Sequence, residues 1–242
     1  MVTCKNWDVS SSWVTWNDYI TCIVNFLINE LSLDSHSHIL DIGCGRANII
    51  AALAKQLYVK HPIEGIDISD TIMEAPNCDG IKLFQKDAIS YLETKADNIY
   101  DCIILKSVLH LIPDISRITL FEQIYRCLRP GKRAIILTMP AEPVIPLFER
   151  AKATFRAESL TIEYIQDLAN KCSFQTEETN FFYNVLMTKD DYFNLLKIRF
   201  ISNLRMFSDQ EIADGILELD ELYQGNCLEF RDHIHIIKLL KW

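Results

Sequence analysis

His38-Ile39-Leu40-Asp41-Ile42-Gly43-Cys44-Gly45-Arg46-Ala47-Asn48 sets two glycines between a strand-like and a helix-like run. The short apolar run at its head reads as a β-strand that delivers the chain to Gly43. Ile49, Ile50, Leu53 and Leu57 follow with helical spacing, so a helix is predicted over 47–58. Between strand and helix, glycines let the backbone turn sharply and let a ligand approach where a Cβ would block it. In open α/β sheets, ligands bind beyond the carboxyl ends of the strands, where the connections diverge. Gly43, Cys44, Gly45 and Asn48 are therefore candidate ligand-binding residues. The alternative is a tight strand-to-helix turn that binds nothing.

The chemistry of the loop narrows the ligand. A dinucleotide site has the pattern G-x-G-x-x-G, with the pyrophosphate on the helix N-terminus. Here Asn48 stands at the third glycine. Asp41, just before the loop, would oppose a pyrophosphate and would suit a cationic amine. Asp67 closes the next apolar run, Ile63-Glu64-Gly65-Ile66-Asp67. A carboxylate there can accept both ribose hydroxyls, although it can also cap a following helix. Asp87 follows a third run, Ile81 to Gln85, and read alone is equally a helix cap. Acids after three successive strands point together to a nucleoside ligand with positive charge and no phosphate.

Outward from this stretch, strand-like and helix-like runs alternate, which indicates a parallel sheet with covering helices. A helix is predicted over 12–33, from the recurrence of Ile20, Ile23, Val24, Leu27, Ile28 and Leu31. A short helix is predicted over Thr71 to Ala75 and another over 88–94. Tyr100 to Lys106 is a nearly continuous apolar run, suited to a strand buried on both faces. A helix over 114–128, closed by Arg129-Pro130-Gly131, precedes a strand over Arg133 to Met139. Then come helices over 147–156 and 160–172, a strand over 174–188 and an amphipathic helix over 189–204. Ser208 and Glu211 form a capping box for a helix ending at Gly225, read as its C′ residue. Leu228 to Leu240 is the last strand. The predicted fold is α/β: a doubly wound, seven-stranded, mostly parallel sheet with an antiparallel last strand and a helical cap. The predicted domains are an N-terminal helical lid (1–35), a ligand-binding core (36–140), and the remaining strands with a helical cap insert at about 189–225 (141–242).

Leu40-Asp41-Ile42-Gly43-Cys44-Gly45 resembles motif I of class I S-adenosylmethionine-dependent methyltransferases. Ala47 stands where that family usually has a further glycine or small residue. Arg129-Pro130-Gly131 resembles the turn before the family's fifth strand, and Leu109-His110 resembles its Leu-His pair. The specific motifs cover residues 36–140; beyond them the likeness rests on element order. The layout is similar to small-molecule methyltransferases of the trans-aconitate and juvenile-hormone-acid type. The resemblance implies S-adenosylmethionine as cofactor, leaving as S-adenosylhomocysteine. It places the cofactor on Asp41, Gly43, Cys44, Gly45, Asn48, Asp67, Ile68, Asp87, Ala88, Lys106 and Ser107. Asp87 would take the adenine amino group, with Ile68 and Ala88 on the adenine faces.

Methyl transfer requires an aligned nucleophile and exclusion of water. A carboxylate acceptor needs no general base, whereas a phenol or amine can need one. His110, beyond the fourth strand, is the candidate catalytic residue, as base or hydrogen-bond partner; the alternative is simple packing. Trp7 lies near the chain's start, and Trp13, Trp16 and Tyr19 recur at steps of three, which would place them on one helical face. Those three residues, with Leu111 and Arg199, are candidate substrate contacts, packing and a surface arginine being the plainer alternatives. The acceptor is expected to be a small molecule methylated at oxygen (carboxylate or hydroxyl). Alternatives are N-methylation of a small amine or a protein, a non-catalytic nucleoside-binding module, and an NAD-type oxidoreductase.

Composition bounds the partners. Over 242 residues, 24 Lys and Arg face 33 Asp and Glu, for a net charge of −9. An acidic body repels a phosphate backbone, so no nucleic-acid partner is expected. No apolar run reaches the roughly 18–20 residues of a membrane span, and Met1 to Ser12 has no apolar signal-peptide segment. A cytoplasmic protein is expected. The 8 cysteines are widely spaced and form no C-x-x-C pair. Reduced thiols and no metal are expected. Oligomeric state is left open.

Overall fold

The structure is a computed structural model that describes residues 12–69 and 78–242. Its strands are β1 (Ile39–Ile42), β2 (Ile63–Asp67), β3 (Ile81–Gln85), β4 (Tyr100–Lys106), β5 (Leu128–Thr138), β6 (Gln175–Thr188) and β7 (Cys227–Leu240). The helices are α1 (Asn17–Leu31), α2 (Asn48–Leu57), α3 (Ala88–Glu93), α4 (Asp114–Cys127), α5 (Glu149–Glu158), α6 (Ile162–Lys171), α7 (Lys189–Lys197) and α8 (Asp209–Leu222). The strands form one seven-stranded sheet in the order β3-β2-β1-β4-β5-β7-β6. β1 to β5 run parallel, and β7 pairs antiparallel with β5. This is the expected doubly wound sheet. Its chain path leaves β3 at one edge and returns to β4 on the far side of β1, so β1 and β4 flank the point where the winding reverses.

The chain divides into two compact units. One comprises residues 20–138, 160–181 and 235–242. Its core gathers Leu40 and Ile42 of β1, Ile103 and Leu105 of β4, Ala134 and Ile136 of β5, and Ile237 and Leu239 of β7. All four residues of β1 are buried, which explains the apolar character of the three around Asp41. At the end of α4, Lys241 donates to Asn98 Oδ1 at 2.7 Å and to the carbonyls of Tyr125 at 2.7 Å and Leu128 at 2.8 Å. It thereby satisfies carbonyls that the helix leaves unpaired.

The other unit comprises the residues through Tyr19, with 139–159 and 182–234. It is built on aromatic packing. Trp13 stacks on Tyr192 at 6.3 Å, meets Phe200 and Phe230 edge-on at 5.2 and 5.1 Å, and donates its indole N–H to buried Asp232 at 2.9 Å. Gly215 of α8 lies so close to Phe148 that a Cβ would come within 2.3 Å of its ring.

Several expectations are corrected. The helix predicted over 12–33 is broken: Trp13–Thr15 form a 3-10 turn, closed by Thr15 Oγ1 on the Ser12 carbonyl at 2.8 Å, and Trp16 is extended before α1 begins. Trp13, Trp16 and Tyr19 therefore do not share one helical face. The helix predicted over 189–204 also breaks after α7, where Arg199 adopts a left-handed φ of 55°, and a 3-10 turn covers Ser202–Met206. The capping box of Ser208 and Glu211 is present, but α8 ends at Leu222 on an extended Tyr223, so Gly225 is not its C′ residue. Arg129-Pro130-Gly131 lies inside β5, where the register on β4 jumps from Tyr100↔Leu128 to Cys102↔Arg133, and Gly131 N–H bonds the Lys241 carbonyl at 2.7 Å. Cys22, Cys44, Cys78, Cys102, Cys127 and Cys172 are free, whereas Cys227 is disulfide-bonded, against the all-thiol expectation. The helix predicted over Thr71 to Ala75, and Trp7, lie outside the described residues.

Candidate active site

Because β3, β2 and β1 are hydrogen-bonded neighbours, the acids at their carboxyl ends come together in space as well as in sequence. Asp41 pairs with Gly65, and Asp67 pairs with Gln85, two residues before Asp87. The loop after β1 folds over the end of β2: the N–H groups of Gly43 and Cys44 both bond the Ile66 carbonyl, at 2.8 and 3.0 Å. Gly43 has a φ of 73°, and a Cβ there would come within 2.5 Å of the Val108 side chain, so the turn closes only around glycine. Gly45 has a φ of 51°, and a Cβ there would meet nothing within 4 Å. The backbone at Gly45 thus faces open space that a ligand can enter. Ala47 is also left-handed, with a φ of 57°, and is fully buried, so only a very small side chain fits where the motif usually has one. Asn48 opens α2 behind it.

The three acids differ in environment. Asp41 is buried, with 4% exposure. Burial pushes its carboxyl up from 3.8 to about 7, with Lys106 pulling it down and Asp67 pushing it further up. Burial, with the charges of Asp41 and Asp67, likewise raises the Cys44 thiol, so Cys44 remains protonated and inert. Asp67 accepts from Gly45 N–H through Oδ2 and from Ser69 N–H through Oδ1, both at 2.8 Å. Each oxygen keeps acceptor capacity for a ligand hydroxyl. Asp87 caps α3 by accepting from Ser90 N–H at 2.9 Å through Oδ1. Its side chain is exposed, Ala88 beside it is buried, and Ile68 stands 75% exposed.

On the other side of the winding reversal, β4 ends at Lys106. Ser107 then turns with a φ of 53° while its N–H bonds the Leu137 carbonyl at 2.8 Å. His110 lies in a 3-10 turn, Leu109–Leu111, with Leu109 buried and Leu111 61% exposed. Arg117 anchors the end of this loop, donating to the Ile112 carbonyl at 2.9 Å and to Asp114 at 3.0 Å. Asp41, Asp67, Asp87, the glycine loop and His110 thus belong to one compact unit.

The remaining candidates belong to the other unit. Trp13, Trp16 and Tyr19 are all buried. Arg199 donates to the Phe207 carbonyl at 3.0 Å and to Asp209 at 2.6 Å, which ties the turn between α7 and α8. Among the described residues, no group of three or more His, Cys, Asp or Glu is placed to hold a metal. No described helix is long and apolar enough to cross a membrane.

Sequence reading missed Glu64. This carboxylate of β2 accepts from Tyr91 Oη at 2.9 Å, from Lys95 Nζ at 3.1 Å and from Tyr100 Oη. The available signal was a lone acid within an apolar strand, which needs a partner when half-buried. Val108, which closes over Gly43, had no signal of its own.

A family model described as a methyltransferase domain matches residues 33–198. The chain belongs to the methyltransferase-domain family. A demethylmenaquinone methyltransferase of Lactiplantibacillus plantarum is 29% identical over 126 residues, which is 48% of this chain and 52% of the relative. The chain spans about half the length of the curated relatives it matches. Among solved structures, a SAM-dependent methyltransferase from Archaeoglobus fulgidus superposes with a TM-score of 0.56 at 17% identity, covering 91% of this chain and 94% of that one. The [4+2]-cyclase SpnF superposes with a TM-score of 0.60 at 15% identity, covering 100% of this chain and 87% of that one. These likenesses show the fold, and a protein named as a cyclase among them illustrates that fold does not fix reaction. Family and fold support S-adenosylmethionine as the cofactor, in line with the acids and glycines of the loop. The particular likeness to trans-aconitate and juvenile-hormone-acid enzymes is not shown by these relatives, which support the methyltransferase family alone.

Proposed function

We propose that this methyltransferase domain transfers the methyl group of S-adenosylmethionine to a small-molecule acceptor. The observation that carries the reading is the pairing of Asp67 with the open face of Gly45. One carboxylate oxygen holds the Gly45 N–H at 2.8 Å, and the backbone beside it has room for a ligand. The residues fit the cofactor. Asp67 offers acceptors for ribose hydroxyls, buried Asp41 offers negative charge to an amine, and Asp87 with Ala88 offers an edge and a face to adenine. Cys44, Asn48, Ile68, Lys106 and Ser107 complete the proposed surround. The bound cofactor supplies an activated methyl on a positively charged sulfur. The chain's part is to hold the nucleoside, keep water away and orient the acceptor.

His110 is the proposed catalytic side chain, taking a proton from the acceptor or orienting it through a hydrogen bond. Exposed Leu111 beside it would touch the acceptor. An oxygen acceptor remains the favoured reading, with nitrogen as the alternative. A second reading, a quinone-type aromatic acceptor, is favoured by the name of the L. plantarum relative. Trp13, Trp16, Tyr19 and Arg199 remain proposed substrate contacts, and residues 1–35 and 189–225 a proposed lid and cap. The test is transfer of radiolabelled methyl from S-adenosylmethionine to metabolite pools, with products identified by mass spectrometry. A labelled small molecule supports the proposal; label confined to protein, or no transfer with the cofactor bound, contradicts it.

A further inference from the structure

α3 spans only Ala88–Glu93, yet it carries the end of the site assigned to adenine. A helix this short does not hold its place by its own hydrogen bonds, because nucleation costs more than one or two turns return. Something outside must fix it. Its C-terminal end is held by Arg126, which donates to the carbonyls of Leu92 and Lys95, both at 2.7 Å. Its first turn is held differently. Tyr91 N–H bonds the Asp87 carbonyl at 3.0 Å, while the Tyr91 hydroxyl donates to Glu64 of β2 at 2.9 Å. Lys95, just after the helix, reaches the same carboxylate at 3.1 Å and lies 4.4 Å from the centre of the Tyr91 ring. Tyr100, at the start of β4, supplies the third donor.

Glu64 therefore joins β2, β4 on the far side of β1, and the helix through one carboxylate. Tyr91 and Tyr100 are both buried, at 2% and 3% exposure, so neither hydroxyl would find water as a substitute. Burial opposes charge on Glu64, yet the bonds from Tyr100, Lys95 and Tyr91 hold its carboxyl below the ordinary value. The acceptor is thus the strong, ionised kind.

We infer that Glu64 is a positioning residue for the nucleobase end of the site: through Tyr91 it fixes the first turn of α3, and with it Asp87 and Ala88. This rests on the proposed S-adenosylmethionine site. Asp87 spends Oδ1 on Ser90 N–H at 2.9 Å, and recognition of an exocyclic amino group requires the rest of that carboxylate to be held in place. Loss of the Tyr91 tether lets the first turn shift, which blurs the distinction between an amino group and an oxygen on the base. Loss of the Tyr100 hydroxyl removes a comparable hydrogen bond from the same carboxylate but leaves α3 tethered.

The experiment is calorimetric titration of the full chain with S-adenosylhomocysteine and with S-inosylhomocysteine, in which oxygen replaces the adenine amino group. The wild type is expected to prefer the adenine form by about tenfold or more, the scale of one charge-assisted hydrogen bond. Tyr91→Phe is expected to reduce that preference several-fold. Tyr100→Phe is expected to keep it, although both variants lower the midpoint of urea unfolding. The inference is overturned if Tyr91→Phe keeps the full preference while Asp87→Asn abolishes it. It is equally overturned if Tyr100→Phe erodes the preference as much, since general loosening would then explain both. Absence of S-adenosylhomocysteine binding to the wild type, or a preference that survives Asp87→Asn, would instead overturn the underlying site.

Discussion

Asp41→Asn tests the electrostatics of the motif I strand quantitatively. In the folded chain this carboxyl is pushed from 3.8 to about 7, chiefly by burial. The unfolded chain releases the proton near 3.8, while the folded chain holds it until about 7. Between those values the native state binds the extra proton, so stability falls as pH rises. Above about pH 7 the full penalty stands. At about 1.4 kcal/mol per pH unit, the interval corresponds to about 4 kcal/mol, an order-of-magnitude figure. The Asn variant keeps the shape and lacks the charge. It is expected to match the wild type near pH 4 and to become progressively more stable than it toward pH 8, by up to about 4 kcal/mol. The same variant is expected to bind S-adenosylhomocysteine more weakly, because the amino group loses its counter-charge. Urea unfolding of both ligand-free proteins from pH 4 to pH 8 measures the difference. A stability gap that does not change with pH, or an Asn variant less stable at pH 8, would show that burial does not hold this carboxyl protonated. A buried acid retained at such cost is what a binding role predicts.

Three further outcomes follow from the geometry. Asp67→Ala removes the acceptor that bridges Gly45 and Ser69, and is expected to weaken S-adenosylhomocysteine binding roughly tenfold or more; calorimetry checks this, and unchanged affinity contradicts the site. His110→Ala is expected to lower kcat by about 10²–10⁴ if the imidazole moves a proton, with cofactor affinity nearly unchanged; equal turnover removes it from the mechanism. Lys241→Met leaves the carbonyls of Tyr125 and Leu128 at the end of α4 without their donor, and is expected to cost about 2–4 kcal/mol in urea unfolding.

The middle of the sheet was legible because its strands are largely buried and carry nearly continuous apolar runs, as Tyr100 to Lys106 does. The glycine loop was legible because its backbone needs glycine, seen in the φ of 73° at Gly43 and the closeness of Val108. The departures share a different cause: local pattern was overridden by partners outside the stretch that carries it. Trp13 is held by Asp232, 219 residues away, which favours a 3-10 turn over continuation of α1. Arg199 is fixed by Phe207 and Asp209, which stabilise a left-handed residue where periodicity predicts helix. Gly131 remains within β5 because its N–H meets the Lys241 carbonyl. Glu64 draws its donors from α3, from the residues just after it and from β4, and periodicity within β2 carries no trace of them.

In the proposed site, acids at neighbouring strand ends select a positively charged nucleoside without phosphate. Parallel calorimetric titrations of the full chain with S-adenosylhomocysteine and with NADH separate such a ligand from a dinucleotide. Saturable one-to-one binding of S-adenosylhomocysteine, with no heat from NADH, is the predicted result. Binding of NADH in preference, or silence with both, would contradict the claim.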